Sequence, residues 1–209
     1  MNADDDDDVM RADRPQDVRI IASIPGRFSL ADRRNTLGER RVFACRAVNL
    51  SPRAIALASA VSGKLGDRVF PHIDHLGKLE GVITRVLERG FVMSIATTAE
   101  ERERLVAKIK WFEKFKDHDE SEQRSEKRFA PANPYSQIML SDGRIETCLV
   151  IDVSVYGAGI SAETVPEVGT VLAVGKIIGR VVRHIVGGFA VQFVERQPQD
   201  EVEKKLLSK

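Results

Sequence analysis

The sequence has little of what holds secreted or membrane-embedded chains together. Only two cysteines, Cys45 and Cys148, occur in 209 residues, with no CxxC pair or histidine-rich partner. This scarcity argues against a disulfide framework and against a zinc site. No apolar run approaches the roughly 20 residues of a membrane-spanning helix, and the aspartate run at residues 4–8 cannot begin a secretory signal. We therefore expect a cytoplasmic protein with two reduced, buried thiols and no membrane insertion.

An excess of charge of one sign is also missing. The chain has 32 basic and 31 acidic residues, two tyrosines and one tryptophan, so it lacks the basic, aromatic-rich surface typical of nucleic-acid binding. No nucleophile elbow, phosphate loop or carboxylate pair is present, and we expect neither an enzyme nor a nucleic-acid binder. His72 and His75 flank Asp74 without a second cluster of ligands, which favours a surface loop over a metal site.

An internal repeat is present. Residues 78–95, KLEGVITRVLERGFVMSI, align without gaps on residues 176–193, KIIGRVVRHIVGGFAVQF. The two segments share Lys78/Lys176, Gly81/Gly179, Arg85/Arg183, Gly90/Gly188 and Phe91/Phe189. Upstream, NLSPRAIALAS from Asn49 aligns on DVSVYGAGISA from Asp152, and each cysteine precedes that residue by four positions. The repeat predicts two copies of one fold.

The limits of the two copies follow from extending this alignment towards the N-terminus. Allowing two residues of loop places Arg27 and Phe28 opposite Arg128 and Phe129. The copies then cover roughly residues 18–97 and 128–195, and the second domain extends to residue 209 with a short helix after Pro198. We interpret residues 1–17 as a disordered acidic tail.

Each copy has the pattern of antiparallel β structure. In the second, YSQIML and RIETCLVID flank Ser-Asp-Gly at 141–143, and VGKIIGRVVRHIV and FAVQFVE flank Gly-Gly at 187–188. Both are hairpin signals, and Phe189, Val191 and Phe193 alternate onto one face. Several short strands in about 70 residues favour a closed barrel, because closure removes exposed edges. We predict a mainly β protein of two tandem small antiparallel barrels joined by an α-helix.

The predicted connecting helix covers residues 98–117. Leu105, Ile109 and Phe112 recur there at helical spacing, and Thr98 with Glu101 forms a capping-box pattern. Residues 118–127, HDESEQRSEK, are polar and without periodicity, so we interpret them as a linker into the second copy.

Two motifs stand together in the second half, RSEKR at 124–128 and DVSVYG at 152–157. RxxxR followed by [D/N]xSxxG resembles the signature of PilZ domains, β-barrels that bind the bacterial second messenger cyclic di-GMP. The resemblance implies that Arg124, Arg128, Asp152, Ser154 and Gly157 bind this ligand. It also implies a receptor or adaptor that signals to a partner protein in motility, exopolysaccharide or cell-cycle control, with no other cofactor.

The chemistry of these residue types suits the ligand that the resemblance implies. The planar fork of an arginine can meet the adjacent O6 and N7 acceptors of guanine bidentately. A carboxylate such as Asp152 can accept from the N1 and N2 donors of guanine, Ser154 can bind phosphate or hold the turn, and Gly157 allows close backbone approach.

The first copy departs from this pattern. Asn49 and Ser51 keep the [D/N]xS part, but Ala54 replaces the glycine, and with Arg27 opposite Arg128 the arginine pair is missing. We therefore expect a degenerate barrel without ligand. The alternative function is a ligand-independent interaction scaffold, in which Arg124 and Arg128 are only linker charges.

Overall fold

The computed structural model describes residues 20–115 and 128–207, and its first half is a closed antiparallel barrel. Its strands are β1 Ile20–Arg34, β2 Arg40–Leu50, β3 Ala54–Ala58, β4 Arg68–Ile73, β5 Gly77–Lys78, β6 Gly81–Leu87 and β7 Gly90–Ile95. The order is β1-β2-β3-β7-β6-β4, and pairing of β1 with β4 closes the ring. The two-residue β5 extends the sheet beside β4.

The second half is a closed barrel of the same plan. Its strands are β8 Tyr135–Met139, β9 Ile145–Ser154, β10 Gly157–Ala162, β11 Val171–Val174, β12 Ile177–Ile185 and β13 Gly188–Phe193. The order β8-β9-β10-β13-β12-β11 repeats that of the first barrel, with β11 in the place of β4. The predicted fold class of two tandem barrels joined by a helix is confirmed.

One helix packs on each barrel. The connecting helix α1, Ala99–Phe115, places Leu105 and Ile109 in the first core. The C-terminal helix α2, Gln199–Leu207, places Val202 and Leu206 in the second core. The predicted capping box of α1 is present: the Thr98 N–H donates to Glu101 Oε2 at 2.8 Å and the Glu101 N–H donates to Thr98 Oγ1 at 3.3 Å. Neither helix within the described residues is long and apolar enough to cross a membrane.

The internal repeat is confirmed at the level of strand register. Gly81 pairs with Ile95, and Gly179, 98 positions later, pairs with Phe193. A β-bulge follows in both hairpins at the same place, between Ile83 and Arg85 in the first and between Val181 and Arg183 in the second. Positions 90 and 188 both carry glycine for a steric reason. A β-carbon on either would lie within 2.0 Å of a carbonyl oxygen on the neighbouring strand.

The alignment of Arg27 with Arg128 is wrong. Phe129 forms a bridge with Val153, and the equivalent of Val153 in the first barrel is Leu50, which pairs with Ile20. Phe129 therefore corresponds to Ile20, and Arg128 to position 19. Position 19 is an arginine in the sequence but lies outside the described residues. The error arose because two Arg-Phe dipeptides resemble each other locally, whereas equivalence is set by pairing across the sheet.

The surface loop predicted around the histidines needs a second correction. His72 lies within β4, where its Nδ1 is 2.9 Å from the Arg27 guanidinium. Only His75 lies in a turn, with a φ of 64°. The strand continues because His72 pairs with Arg27 on β1 and with Lys78 on β5.

The two barrels contact each other directly. The Ala44 N–H on β2 donates to Ser161 Oγ on β10 at 3.0 Å, and the Tyr135 hydroxyl donates to the Arg89 carbonyl at 2.5 Å. The Arg89 guanidinium also lies 5.0 Å from the centre of the Tyr135 ring. Strand β2 thus forms the side of the first barrel that faces the second.

Candidate ligand-binding site

The centre of the candidate site is an ion pair at the start of the second barrel. Arg128 Nη1 donates to Asp152 Oδ1 at 3.0 Å, and their side chains are 34% and 31% exposed. The bridge between Phe129 and Val153 holds the two residues together, because each directly precedes one of the bridged positions. The pair leaves the remaining donors of the Arg128 fork without another partner in the described parts of the chain. Arg124 lies outside the described residues.

Ser154 and Gly157 form the tight turn between β9 and β10. The Tyr156 N–H donates to Ser154 Oγ at 3.3 Å, and Ser154 is 4% exposed. The serine therefore holds the turn, one of the two roles considered for it. Gly157 has no room for a side chain, since a β-carbon there would lie 2.4 Å from the Val191 carbonyl oxygen. Tyr156 at the tip is 44% exposed.

A row of small residues extends from Asp152 along the outward-facing side of the barrel wall, and its two middle members, Gly159 and Ala190, are buried. Asp152 pairs with Gly159, Gly159 with Ala190, and Ala190 with Arg183. Paired residues on adjacent strands share a face, so these four positions lie side by side. A β-carbon on Gly159 would lie 3.1 Å from Asp152 Oδ1. The row forms a low floor bounded by charged groups, Arg128 and Asp152 at one end and Arg183 at the other.

The corresponding row of the first barrel is bulkier. Asn49 pairs with Ala56, Ala56 with Val92, and Val92 with Arg85. Ala56 and Val92 stand where the second barrel has Gly159 and Ala190, so two larger side chains fill the floor. The row is therefore made of smaller residues in the second barrel, where Gly159 and Ala190 are buried, than in the first, where Ala56 and Val92 are half-buried.

Arg46 of the first barrel supports both parts of the ion pair. It is 4% exposed, and burial lowers the pKa of its guanidinium. Its Nη1 donates to the Pro131 carbonyl at 2.7 Å and its Nη2 to the Ile151 carbonyl at 3.3 Å. Pro131 lies three residues after Arg128, and Ile151 directly precedes Asp152. Arg46 therefore fixes both segments of backbone that carry the pair.

The cysteines have the environment of core residues. Both are free and buried, as the sequence predicted. Burial raises the pKa of Cys148 to about 12, against weaker hydrogen bonding with Ser136. Burial and, secondarily, the Asp74 carboxylate raise the pKa of Cys45. Neither thiol is activated, because the thiolate is the reactive form.

Sequence reasoning singled out Arg128, Asp152 and the turn residues but did not predict the ion pair, and it missed the floor and its support. Gly159, Ala190 and Arg46 carry no motif of their own. The repeat alignment did contain one signal for Arg183, because it matched Arg85 at the same position of the other copy. The groups of histidine, cysteine and carboxylate that would hold a metal are absent from residues 20–115 and 128–207.

Comparison with known proteins adds distant structural similarities. The Borreliella burgdorferi protein PlzA in complex with c-di-GMP is 12% identical, with 90% of this chain and 91% of that chain covered and a TM-score of 0.28. The Bacillus subtilis inhibitor of motility is 10% identical, with 90% and 94% covered and a TM-score of 0.30. The K. pneumonia MrkH complex with c-di-GMP is 14% identical, with 88% and 84% covered and a TM-score of 0.27.

These TM-scores are too low for the overlays to carry an argument about this chain, so the assignment of its fold and site rests on its own residues. No protein-family model matches the sequence, and no curated protein matches it.

Proposed function

We propose that this chain binds cyclic di-GMP at Arg124, Arg128, Asp152, Ser154 and Gly157 of a PilZ-type second barrel. It acts as a receptor or adaptor for a protein partner rather than as an enzyme. The observation that carries the proposal is the Arg128–Asp152 pair beside a floor of glycine and alanine. The arrangement supplies an oriented, partly exposed guanidinium at the edge of a row of small residues.

The ion pair defines separate roles for its two members. Asp152 holds Nη1 of Arg128 at 3.0 Å, so the guanidinium is oriented before ligand arrives and loses less conformational freedom on binding. The remaining donors of Arg128 then meet the O6 and N7 acceptors of guanine or a phosphate. Arg124 supplies the second fork, as the RxxxR motif implies.

The first barrel is proposed to be degenerate. It keeps Asn49 and the serine turn, in which the Ala54 N–H donates to Ser51 Oγ at 3.1 Å. Its floor carries Ala56 and Val92 where the ligand would need space. The register correction places an arginine at position 19, but Pro15 stands where a second arginine of an RxxxR motif would fall.

Calorimetric titration of the full chain with cyclic di-GMP tests the proposal. We expect binding in preference to GMP and GTP. We also expect binding in preference to cyclic di-AMP, because adenine presents a donor where guanine presents O6. Arg128→Ala and Arg124→Ala should each weaken binding about tenfold or more, and Arg128→Lys should not restore it.

Arg144→Ala is the matched control for Arg128→Ala. It removes an arginine that pairs with an aspartate of the same barrel, Asp142, at 2.6 Å in the opposite hairpin. It should bind cyclic di-GMP like the parent. A parent protein that does not bind the ligand would favour the alternative of an interaction scaffold.

A further inference from the structure

The first barrel has a cavity of its own, of about 850 Å³. Its walls come from β1, β2, β4 and β5 and from the first half of α1. This volume lies within the range of about 300–1,000 Å³ that small-molecule sites occupy. None of the residues of the Arg128–Asp152 site lines it, so it is a separate place on the molecule.

The lining of this cavity is cationic. It includes five lysine and arginine side chains, against two carboxylates: Arg27, Arg40, Lys78, Arg104 and Lys108 against Glu80 and Glu101. The carboxylates are already engaged, Glu80 with Arg68 and Glu101 with the Thr98 N–H. Within residues 20–115 and 128–207, no carboxylate lies within 4.0 Å of Arg27, Arg40 or Lys78. Uncompensated positive charge therefore faces the cavity.

Three donors form a row along one edge of the cavity. Arg27 on β1 pairs with His72 on β4, and His72 pairs with Lys78 on β5. The Arg27 guanidinium is 2.9 Å from His72 Nδ1. Because arginine can only donate, Nδ1 accepts, and Nε2 carries the ring proton. All three side chains thus have hydrogen-bond donors to offer.

Helix α1 adds further donors from the opposite wall. Lys108 Nζ donates to the Leu76 carbonyl at 2.9 Å, which holds the ammonium beside β5. Arg104 also lies on this wall, where its guanidinium is paired with Glu100.

We propose that the cavity is an anion site for a small molecule that bears two or more phosphate groups. Donors on β1, β4, β5 and α1 surround a volume much larger than one phosphate. Arginine and lysine bind phosphate oxygens through strong, charge-assisted hydrogen bonds. The site is independent of cyclic di-GMP binding at the second barrel.

Titration of the full chain with inorganic tripolyphosphate tests the site. The double variant Arg27→Gln/Lys78→Gln should weaken binding about tenfold or more, because two charged contacts are lost. Both side chains are exposed, so the fold should persist. The matched control Arg85→Gln/Lys64→Gln removes the same charge from exposed positions that do not line the cavity, and it should stay within about twofold of the parent.

Two further variants separate this cavity from unspecific charge attraction and from the site on the second barrel. Arg40→Gln removes a third lining cation from an exposed position and should weaken tripolyphosphate binding further while the fold persists. Arg128→Ala should bind tripolyphosphate like the parent, whatever its effect on cyclic di-GMP. No binding of tripolyphosphate by the parent, or equal losses in the Arg27/Lys78 and Arg85/Lys64 variants, would overturn the proposal.

Co-sedimentation with lipid vesicles distinguishes a dissolved ligand from a lipid headgroup. Vesicles of phosphatidylcholine with and without phosphatidic acid are sedimented with the parent and with Arg27→Gln/Lys78→Gln. If the ligand is a dissolved molecule, the protein should bind tripolyphosphate and should not sediment with the vesicles. Sedimentation that requires both phosphatidic acid and the two cations would also support the anion site and would assign the phosphate to a lipid.

Discussion

The two barrels have the same strand order, the same bulges in two of their strand pairs and the same serine turn, yet they differ along one row of outward-facing positions. The second barrel carries Asp152, Gly159 and Ala190 where the first carries Asn49, Ala56 and Val92. A second difference lies at Arg46, whose equivalent in the second barrel is Leu149, because both stand three positions before the aligned Asn49 and Asp152. The shared plan is therefore maintained by the core, while the barrels differ at a few positions outside it.

This comparison shows how a duplicated barrel can be specialised through few substitutions. In the second barrel, the residues of this row are smaller and a carboxylate orients the Arg128 guanidinium. In the first, a charged residue at position 46 joins the barrels and supports the segments that carry Arg128 and Asp152. The first barrel can assist the second without a ligand of the same kind.

Removal of one equivalent core phenylalanine from each barrel should have the largest effect. Phe91 and Phe189 are fully buried, so Phe91→Ala and Phe189→Ala should each lower the free energy of unfolding by about 3–5 kcal/mol. Phe91 also packs edge-to-face on Phe28 at 5.1 Å, which should make its loss larger by about 1 kcal/mol. Urea denaturation measures both values, and a larger loss for Phe189→Ala would contradict the expected order.

Replacement of Arg46 by the residue of the other barrel should come next. Arg46→Leu leaves the Pro131 and Ile151 carbonyls without their donor at a buried interface. We expect a loss of roughly 2–3 kcal/mol in the free energy of unfolding. The change should also separate the unfolding of the two barrels into two transitions. Arg46→Lys keeps the charge and should recover part of the loss, whereas a single transition of parental stability for Arg46→Leu would exclude this role.

Exchange of the turn residues tests the steric difference between the barrels. Gly157→Ala forces a β-carbon to within 2.4 Å of the Val191 carbonyl oxygen, which should cost about 1–3 kcal/mol. The reciprocal Ala54→Gly adds only chain entropy to the unfolded state and should cost about 0.5–1 kcal/mol. Thermal or urea unfolding compares the stability of the two variants. Equal losses of stability would show that the turn at Gly157 adjusts to accommodate the added β-carbon.

Replacement of the aligned residues Asp152 and Asn49 tests the difference in ligand binding rather than in stability. Asp152→Ala releases the Arg128 guanidinium and should weaken cyclic di-GMP binding about tenfold, or about 1.4 kcal/mol. Asn49→Ala should leave the affinity within about twofold, because the first barrel is proposed not to bind the ligand. Calorimetry on the full chain measures both, and a matching loss for Asn49→Ala would show that both barrels bind.

Local patterns in the sequence were sufficient for most elements of this protein, although they placed His72 in a loop rather than in β4. Strand alternation, the Asp-Gly turn at Gly143 and the capping box of Thr98 depend on neighbours a few residues apart, and each is present in the structure. The repeat predicted two barrels because two copies of one hydrophobic pattern need two similar cores. The RxxxR and DxSxxG motifs pointed to Arg128 and Asp152, which the fold pairs at 3.0 Å.

Only the tertiary structure decided which residues are equivalent at the start of the two barrels. It also decided which residues form the floor and how the barrels contact each other. Phe129 corresponds to Ile20 because each bridges to an aligned partner on the next strand, a relation that the local Arg-Phe similarity concealed. Gly159, Ala190 and Arg183 are separated by up to 31 positions in the sequence and become neighbours only when the barrel closes. Arg46 meets the Pro131 carbonyl across 85 positions. Hydrophobic periodicity specifies which face of a strand is buried, but contacts between distant strands are fixed only by barrel closure and by the packing of one barrel on the other.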